Sequence, residues 1–234
     1  MSEPAFSIAF FDPEHGLHGS ARAGATVLFE GARSSVLPEG PGVERRDGGW
    51  RAVLDGAFSL ELAPVAAAVD LSGVAAQVCE VEGTVGEAKV RCLGTVGETA
   101  TPPAWGELDA VRSLSALFDR DHAFLAVARR PRDAPGHGQE EVAALLLHGG
   151  ELLTVDDARI STVYDGEGRQ RSAGLELWLP DEDFPRRLSG TVVAGSSLQL
   201  ERIDVHAAVF RWRMEDREGV GAYELAVRRE PEAA

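Results

Sequence analysis

Short runs of alternating apolar and polar residues, separated by Gly, Asp and Pro, follow one another along most of the chain. In residues 50–54, 57–62 and 173–179, for example, an apolar residue recurs at nearly every second position. This spacing is typical of a strand with one buried face. Many short strands with turn signals between them are typical of a sandwich or barrel, so the pattern predicts an all-β fold.

Residues 78–93 form the clearest predicted hairpin. A turn at residues 85–86 places Glu82 opposite Lys89 on one face and Cys79 opposite Cys92 on the other. Opposite charges on one face and apolar partners on the other are what an antiparallel pair requires. In a cytosolic protein the favoured state of two such cysteines is that of buried, reduced thiols.

Residues 206–229 predict a second hairpin. A turn over residues 216–219 pairs Trp212 with Tyr223 and places Arg211 opposite Glu224. Because the same pattern occurs twice, about half a chain apart, we expect a duplicated β-barrel or sandwich.

One segment departs from the strand pattern. In residues 106–119 the apolar residues recur at helical spacing, and the segment follows Pro102-Pro103 and Trp105. We therefore predict a short linking helix over 106–119, with an N-terminal domain over 1–105 and a C-terminal domain over 106–234.

Composition narrows the class of protein. The formal net charge is −15, with 38 acidic and 23 basic residues, which argues against binding to nucleic acid or anionic membranes. No apolar run approaches the roughly 18 residues of a membrane span, and residues 1–14 lack the features of a signal peptide. These features predict a cytoplasmic protein with no membrane span.

The loop after the first strand concentrates groups that could carry chemistry. Asp12, Glu14, His15 and His18 lie within seven residues. The carboxyl groups of Asp12 and Glu14 are candidate proton donors, while a solvated turn is the alternative. The spacing matches no strong metal motif, so we predict no metal site.

A second candidate acid–base pair is Asp121 with His122, for which a solvated loop is again the alternative. The chain contains no nucleophile elbow, phosphate-binding loop or dinucleotide fingerprint, and we expect no cofactor.

Three motifs resemble the tandem lipocalin-like family of AttH-like and carotenoid hydratase (hydroxyneurosporene synthase) type. The first is FFDP with GLHG at residues 10–19. The second is the run from GGELL at residues 149–153 through DG at residues 165–166 to LEL at residues 175–177, and the third is REGVGAYE at residues 217–224. The resemblance implies two lipocalin-like, calycin-like antiparallel β-barrels packed together, with a pocket for a hydrophobic ligand in or between them. Family members include hydratases and cyclases. In enzyme-like members a charged Arg-Asp pair precedes Trp-Gly, whereas here Thr-Pro-Pro-Ala precedes Trp105.

The function expected from these features is binding of a hydrophobic small molecule, such as a lipid, terpenoid or polyketide-like compound. The first alternative is a hydratase, isomerase or cyclase that acts on a terpenoid or polyene by proton transfer. The second is a structural or interaction protein with filled barrels. The candidate ligand contacts are Phe11, His18, Trp105, Trp178, Trp212 and Tyr223.

Overall fold

The computed structural model describes residues 4–134 and 139–229, which form two curled antiparallel sheets. The strands of the first sheet are β1 (Ala5–Asp12), β2 (Leu17–Arg22), β3 (Ala25–Glu30), β4 (Arg33–Leu37), β5 (Gly42–Arg46), β6 (Gly49–Leu54), β7 (Phe58–Pro64), β8 (Val69–Asp70), β9 (Val74–Val85) and β10 (Ala88–Thr99). Those of the second are β11 (Leu108–Asp119), β12 (His122–Pro131), β13 (Glu141–His148), β14 (Glu151–Thr154), β15 (Asp157–Tyr164), β16 (Gln170–Trp178), β17 (Arg186–Leu200), β18 (Ile203–Met214) and β19 (Arg217–Arg228). The described residues include no helix that is long and apolar enough to cross a membrane.

The second sheet repeats the strand order of the first. The orders are β4-β3-β2-β1-β10-β9-β7-β6-β5 and β14-β13-β12-β11-β19-β18-β17-β16-β15, with β8 added beside β9. In each sheet the first strand of the repeat pairs with the last one. The beginning and the end of each repeat therefore lie side by side in the middle of its sheet. The prediction of an all-β, duplicated fold is confirmed. The predicted domain bounds, 1–105 and 106–234, stay a prediction.

Within residues 4–134 and 139–229, apolar side chains form three separate cores. One lies inside the curl of the first sheet and includes Phe10 and Leu60, and another lies inside the second sheet and includes Phe210 and Trp212. The third, which we call the intersheet core, lies between the sheets. It includes Phe11, Phe29, Leu117, Leu125 and Val209.

Strands near the sheet centre contribute to two cores at once. On β1, Ile8 and Phe10 point into the first sheet's interior, whereas Ala9 and Phe11 belong to the intersheet core. Successive side chains of a strand point to opposite faces, so a strand between two cores is apolar at consecutive positions. This arrangement positions the two cavities described below.

The predicted helix over 106–119 is wrong, because Leu108–Asp119 is strand β11. Leu114 and Ala116 point into the second sheet's interior, while Leu117 joins the intersheet core. Register irregularities interrupt its pairing with β12 at both ends of the strand. Burial on both faces hides the two-residue period, and the remaining spacing resembles that of a helix.

The predicted register of the first hairpin is wrong by two residues. Val85 pairs with Ala88, and Gly86 takes a positive φ of 56° in the turn between them. Glu82 consequently faces Arg91 instead of Lys89, with Oε1 3.0 Å from the guanidinium Nε. The shift also separates the two cysteines, which pair with Gly94 and Val81 and are both free thiols.

The predicted register of the second hairpin is wrong by four residues. Met214 pairs with Arg217, and the turn consists of residues 215–216. Trp212 therefore lies opposite Gly219, not Tyr223. A Cβ atom on Gly219 would lie 2.9 Å from the Leu117 carbonyl carbon of β11. Gly219, which suggested a turn in the sequence, thus allows β19 and β11 to approach each other closely.

Candidate functional site

Two cavities open between the sheets, on either side of the intersheet core. The first cavity has a volume of about 730 Å³ and lies at the C-terminal end of β1. The second cavity has a volume of about 470 Å³ and lies at the N-terminal end of the same strand. Both are lined by residues from both sheets, and both volumes fall within the usual range for a small-molecule site.

Apolar side chains from the two sheets meet in the first cavity. Phe11 and Leu93 come from the first sheet, and Leu117, Phe118 and Val220 come from the second. Phe11 and Leu117 are almost fully buried, at 2% exposure each. The cavity therefore offers an apolar surface that neither sheet provides alone.

Asp12 brings a buried carboxylate into this apolar surface. Its exposure is 2%, and it is the last residue of β1. The His15 backbone N–H donates to Oδ1 at 3.2 Å, and the His15 ring Nδ1 lies 2.8 Å from Oδ2. The other carboxylates that line the cavity are exposed; they belong to Glu14, Glu80, Glu82, Asp119 and Glu218.

The hydrogen bond and the negative charge of Asp12 raise the pKa of the exposed His15. A protonated imidazole is the better partner for the carboxylate, so the pair holds a proton to higher pH than a free histidine does. The pair is local in sequence, which explains why the loop's composition could suggest it.

His18 lies on β2, next to Asp12 at the end of β1, and its side chain is between the two sheets. It pairs with Phe11 in the register, and the two ring centroids are 6.1 Å apart. Burial lowers the pKa of His18, and the charge of Asp12 opposes this shift. Its Nδ1 atom is buried and has no hydrogen-bond partner in the described part of the chain. A neutral imidazole in this position can accept a proton or hydrogen-bond a ligand.

Cys92 also lines the first cavity. Burial raises the pKa of its thiol to about 12, and burial raises the pKa of Cys79 to about 12 as well. Both groups are therefore thiols at neutral pH, and neither is an activated nucleophile.

Charged groups surround the cavity, and carboxylates predominate. Six carboxylates line it, together with the guanidinium groups of Arg91, Arg120 and Arg211. Arg120 bridges the sheets, with Nη1 4.0 Å from Oε1 of Glu80. The excess of negative charge disfavours an anionic ligand.

The second cavity is lined by different charged residues, two arginines and one glutamate. Arg22 on β2 and Glu224 on β19 form an ion pair across the two sheets. Burial lowers the pKa of Arg22 to about 10. Arg129 on β12 also lines this cavity, and Trp105, in the segment that joins the sheets, contributes to its wall.

The structure distributes the predicted site residues over several places. Phe11, Asp12, Glu14 and His18 line the first cavity, and Trp105 lines the second. Five residues line neither cavity: Asp121, His122, Trp178, Trp212 and Tyr223.

Each of these five has another structural setting. His122 Nδ1 lies 2.8 Å from Oδ1 of Asp119, in the turn between β11 and β12, and Asp121 is exposed in the same turn. Trp178 lies beneath the Arg159 guanidinium at 4.6 Å. Trp212 and Tyr223 are buried inside the second sheet. There the Tyr223 hydroxyl lies 2.7 Å from Oγ1 of Thr162 and accepts a hydrogen bond from Arg112 at 3.2 Å.

Sequence reasoning missed the charged residues of the second cavity. Arg22 and Glu224 are separated by 202 positions, so no local spacing indicates their contact. The available signal is that Glu224 shares a strand face with Ala222 and Ala226, where a charge is out of place unless it is paired. Within the described residues no group of three or more His, Cys, Asp or Glu side chains could hold a metal ion.

The fold is a tandem of two curled, lipocalin-like antiparallel sheets with cavities between them. Among solved structures, kievitone hydratase from Nectria haematococca is similar, with 12% identity and a TM-score of 0.60, over 97% of this chain and 89% of that one. CghA is also similar, with 12% identity and a TM-score of 0.57, over 99% of this chain and 90% of that one. The structure of CghA with Sch210972 is similar as well, with 12% identity and a TM-score of 0.56, over 97% of this chain and 89% of that one. No family model matches the sequence, and no curated protein matches it. At this identity the likeness shows a shared fold.

Proposed function

We propose that the protein binds a neutral hydrophobic small molecule in the first cavity. The observation that carries the proposal is an apolar cavity of about 730 Å³ with one buried carboxylate and one buried imidazole. Apolar walls with a few placed polar groups are typical of small-molecule sites. The surplus of carboxylates around the cavity favours a neutral over an anionic ligand.

The similar structures support a small-molecule site of this kind. One is named as a hydratase, and another was solved with Sch210972. Membership of the AttH-like and carotenoid hydratase type is our proposal, supported by the shared fold and by the motifs at residues 10–19. A purely structural role is disfavoured because two cavities between the sheets are large enough to hold a ligand.

Adjacent valines on β17 allow a matched test of the binding site. Val193 lines the first cavity, whereas Val192 does not, and their exposures are similar at 40% and 37%. Val193→Trp should narrow the cavity and weaken binding of the neutral fluorescent probe N-phenyl-1-naphthylamine by roughly tenfold or more, since burial of the probe's apolar area drives affinity. Val192→Trp should leave the affinity unchanged.

The measurement is a fluorescence titration with the full chain. A wild-type protein that does not bind the probe, or a Val193→Trp variant with unchanged affinity, would exclude the first cavity as the site. Native mass spectrometry after exposure to a cell lipid extract then identifies the natural ligand class.

A second candidate function is proton-transfer catalysis on a bound alkene, as in a hydratase. The specific observation in its favour is the proximity of the Asp12–His15 pair to the neutral His18. In a hydration, the proton held by the Asp12–His15 pair passes through the Asp12 carboxyl group to one alkene carbon, while His18 takes a proton from the water that adds to the other carbon. Return of that proton from His18 to the Asp12–His15 pair restores all three groups, so the net change is addition of one water.

This candidate is tested with the unsaturated ligand recovered from the extract. Incubation with wild-type protein in deuterium oxide should add water or exchange deuterium into the ligand, and Asp12→Asn should abolish either change while probe binding persists. Glu14→Gln is the control, because Glu14 lines the same cavity but is exposed. Unlabelled ligand after incubation with wild-type protein would exclude catalysis and leave binding as the function.

A further inference from the structure

We infer that the second cavity is a separate binding site for an apolar monocarboxylate, such as a medium-chain fatty acid. Its chemistry differs from that of the first cavity in the sign of its charge. The charged groups in its lining are the guanidinium groups of Arg22 and Arg129 and the carboxylate of Glu224. In a protein with a formal net charge of −15, a cavity with a surplus of arginine is a specific local feature.

The two arginines are not equivalent. Arg22 is neutralised by Glu224, with which it forms the ion pair between the sheets. Arg129 has a buried Nε atom with no hydrogen-bond partner in residues 4–134 and 139–229. In the register, Glu141 on β13 lies opposite Arg129, and among residues 4–134 and 139–229 no carboxylate forms an ion pair with Arg129 within 4.0 Å. The positive charge of Arg129 is therefore available to a ligand.

A carboxylate is the group that best fits this vacant guanidinium. Arg and carboxylate form two parallel, charge-assisted hydrogen bonds, and such bonds are stronger than neutral ones. A buried N–H without a partner is unfavourable, so a carboxylate that accepts from Nε removes a cost already present in the free protein.

The other residues that line the second cavity determine which group the ligand carries besides its carboxylate. Val111, Leu125 and Val127 of the second sheet, Val74 of the first, and Leu71 in the turn between β8 and β9 are apolar. Trp105 and the prolines before it add a further apolar wall from the connecting segment. A compound with one carboxylate and one apolar chain satisfies both parts of the cavity, in a volume of about 470 Å³.

Decanoate and decan-1-ol provide a matched pair of probes, because they share the chain length and differ in the charged group. Isothermal titration of the full-length protein should show that decanoate binds at least roughly tenfold more tightly than the alcohol, as a charge-assisted hydrogen bond predicts. Arg129→Gln keeps a polar side chain of similar shape and should remove most of this preference. Equal affinities in the wild type, or an undiminished preference in the variant, would overturn the proposal.

Two controls locate the site. Arg130→Gln makes the same change at the next residue, which does not line the second cavity, and should keep the preference for decanoate. Ser113→Trp obstructs the cavity from an exposed position on its wall and should abolish decanoate binding. Decanoate binding that survives Ser113→Trp but is lost in Val193→Trp would assign the ligand to the first cavity instead. Binding of the neutral probe is measured in parallel, so the two sites succeed or fail independently.

Discussion

Arg22 and Glu224 form an ion pair between the first and second sheets, although 202 positions separate them in the chain. Their side chains are 30% and 11% exposed, so the pair is largely withdrawn from water beside the second cavity. Each residue lies on a strand face that otherwise packs between the sheets. The pair therefore contributes to how the two halves are held together.

The first prediction is that Glu224→Gln destabilises the protein by about 1–3 kcal/mol, because it leaves a partly buried guanidinium without its counter-charge. The free energy of unfolding by urea measures the effect. A double-mutant cycle with Arg22→Gln should give a coupling of similar size. Additive effects of the two substitutions would show that the pair does not contribute to stability.

The second prediction concerns the histidines of the first cavity. In an NMR titration, His15 should titrate above the ordinary value of 6.5, because Asp12 raises its pKa, and His18 should titrate below 6.5, because burial lowers its pKa. Asp12→Asn should lower the pKa of His15. The absence of such a decrease would contradict the Asp12–His15 bond.

The lowered pKa of His18 also predicts the direction of a stability change. Below pH 6.5 the unfolded chain takes up a proton at His18 more readily than the folded protein does, so this residue's contribution to the unfolding free energy falls as pH decreases. His15 has the opposite effect, since its raised pKa favours the folded protein at low pH. Comparison of His18→Phe with His15→Asn at pH 5 and pH 8 separates the two contributions.

The third prediction concerns the register of the first hairpin. Glu82 and Arg91 should couple by about 0.2–1 kcal/mol in a double-mutant cycle, as exposed cross-strand ion pairs do. Glu82 and Lys89 should show no coupling, because Lys89 lies opposite Thr84. The reverse result would restore the register that the charge pattern suggested.

The fourth prediction is that Trp212→Ala destabilises the protein by roughly 3–5 kcal/mol, because Trp212 is 1% exposed and fills the second sheet's core. Trp178→Ala is the control. It should cost about 1 kcal/mol, since Trp178 is only partly buried and its described ring contact is with Arg159. Similar decreases in the free energy of unfolding for the two variants, measured by chemical denaturation, would argue against this assignment of the core.

The fifth prediction is that both cysteines react slowly with iodoacetamide. With a pKa of about 12, each thiol should react roughly a thousandfold more slowly at pH 8 than an ordinary cysteine. In denaturant both should react at the ordinary rate. Rapid modification of Cys92 in the folded protein would show that the first cavity stabilises its thiolate.

The sequence predicted the strand-rich fold and its duplication well, because alternation of apolar and polar residues directly reflects a buried and an exposed face. It failed at β11, where both faces are buried and the alternation disappears. It also failed in the registers of the two hairpins. A shift by an even number of residues keeps every side chain on its face, so the apolar pattern of each strand cannot detect it.

The sequence could predict the candidate site only where its residues are close together along the chain. Asp12, His15 and His18 lie at the end of β1, in the turn that follows and on β2, so their clustering is visible in the sequence. Trp212 and Tyr223, by contrast, suggested a ligand site but lie in the second sheet's core. Aromatic residues on strands are equally suited to a core and to a cavity wall, and their spacing does not distinguish the two.

By itself, the sequence determined that this chain forms antiparallel strands in two similar halves, because local alternation decides which positions are buried. Only the tertiary structure decided which sheet each buried face meets. That choice places Phe11 against the second sheet and Arg22 against Glu224. The physical reason is that burial of an apolar face is favourable against any apolar surface, whereas a cavity depends on how two particular surfaces fail to fill the space between them.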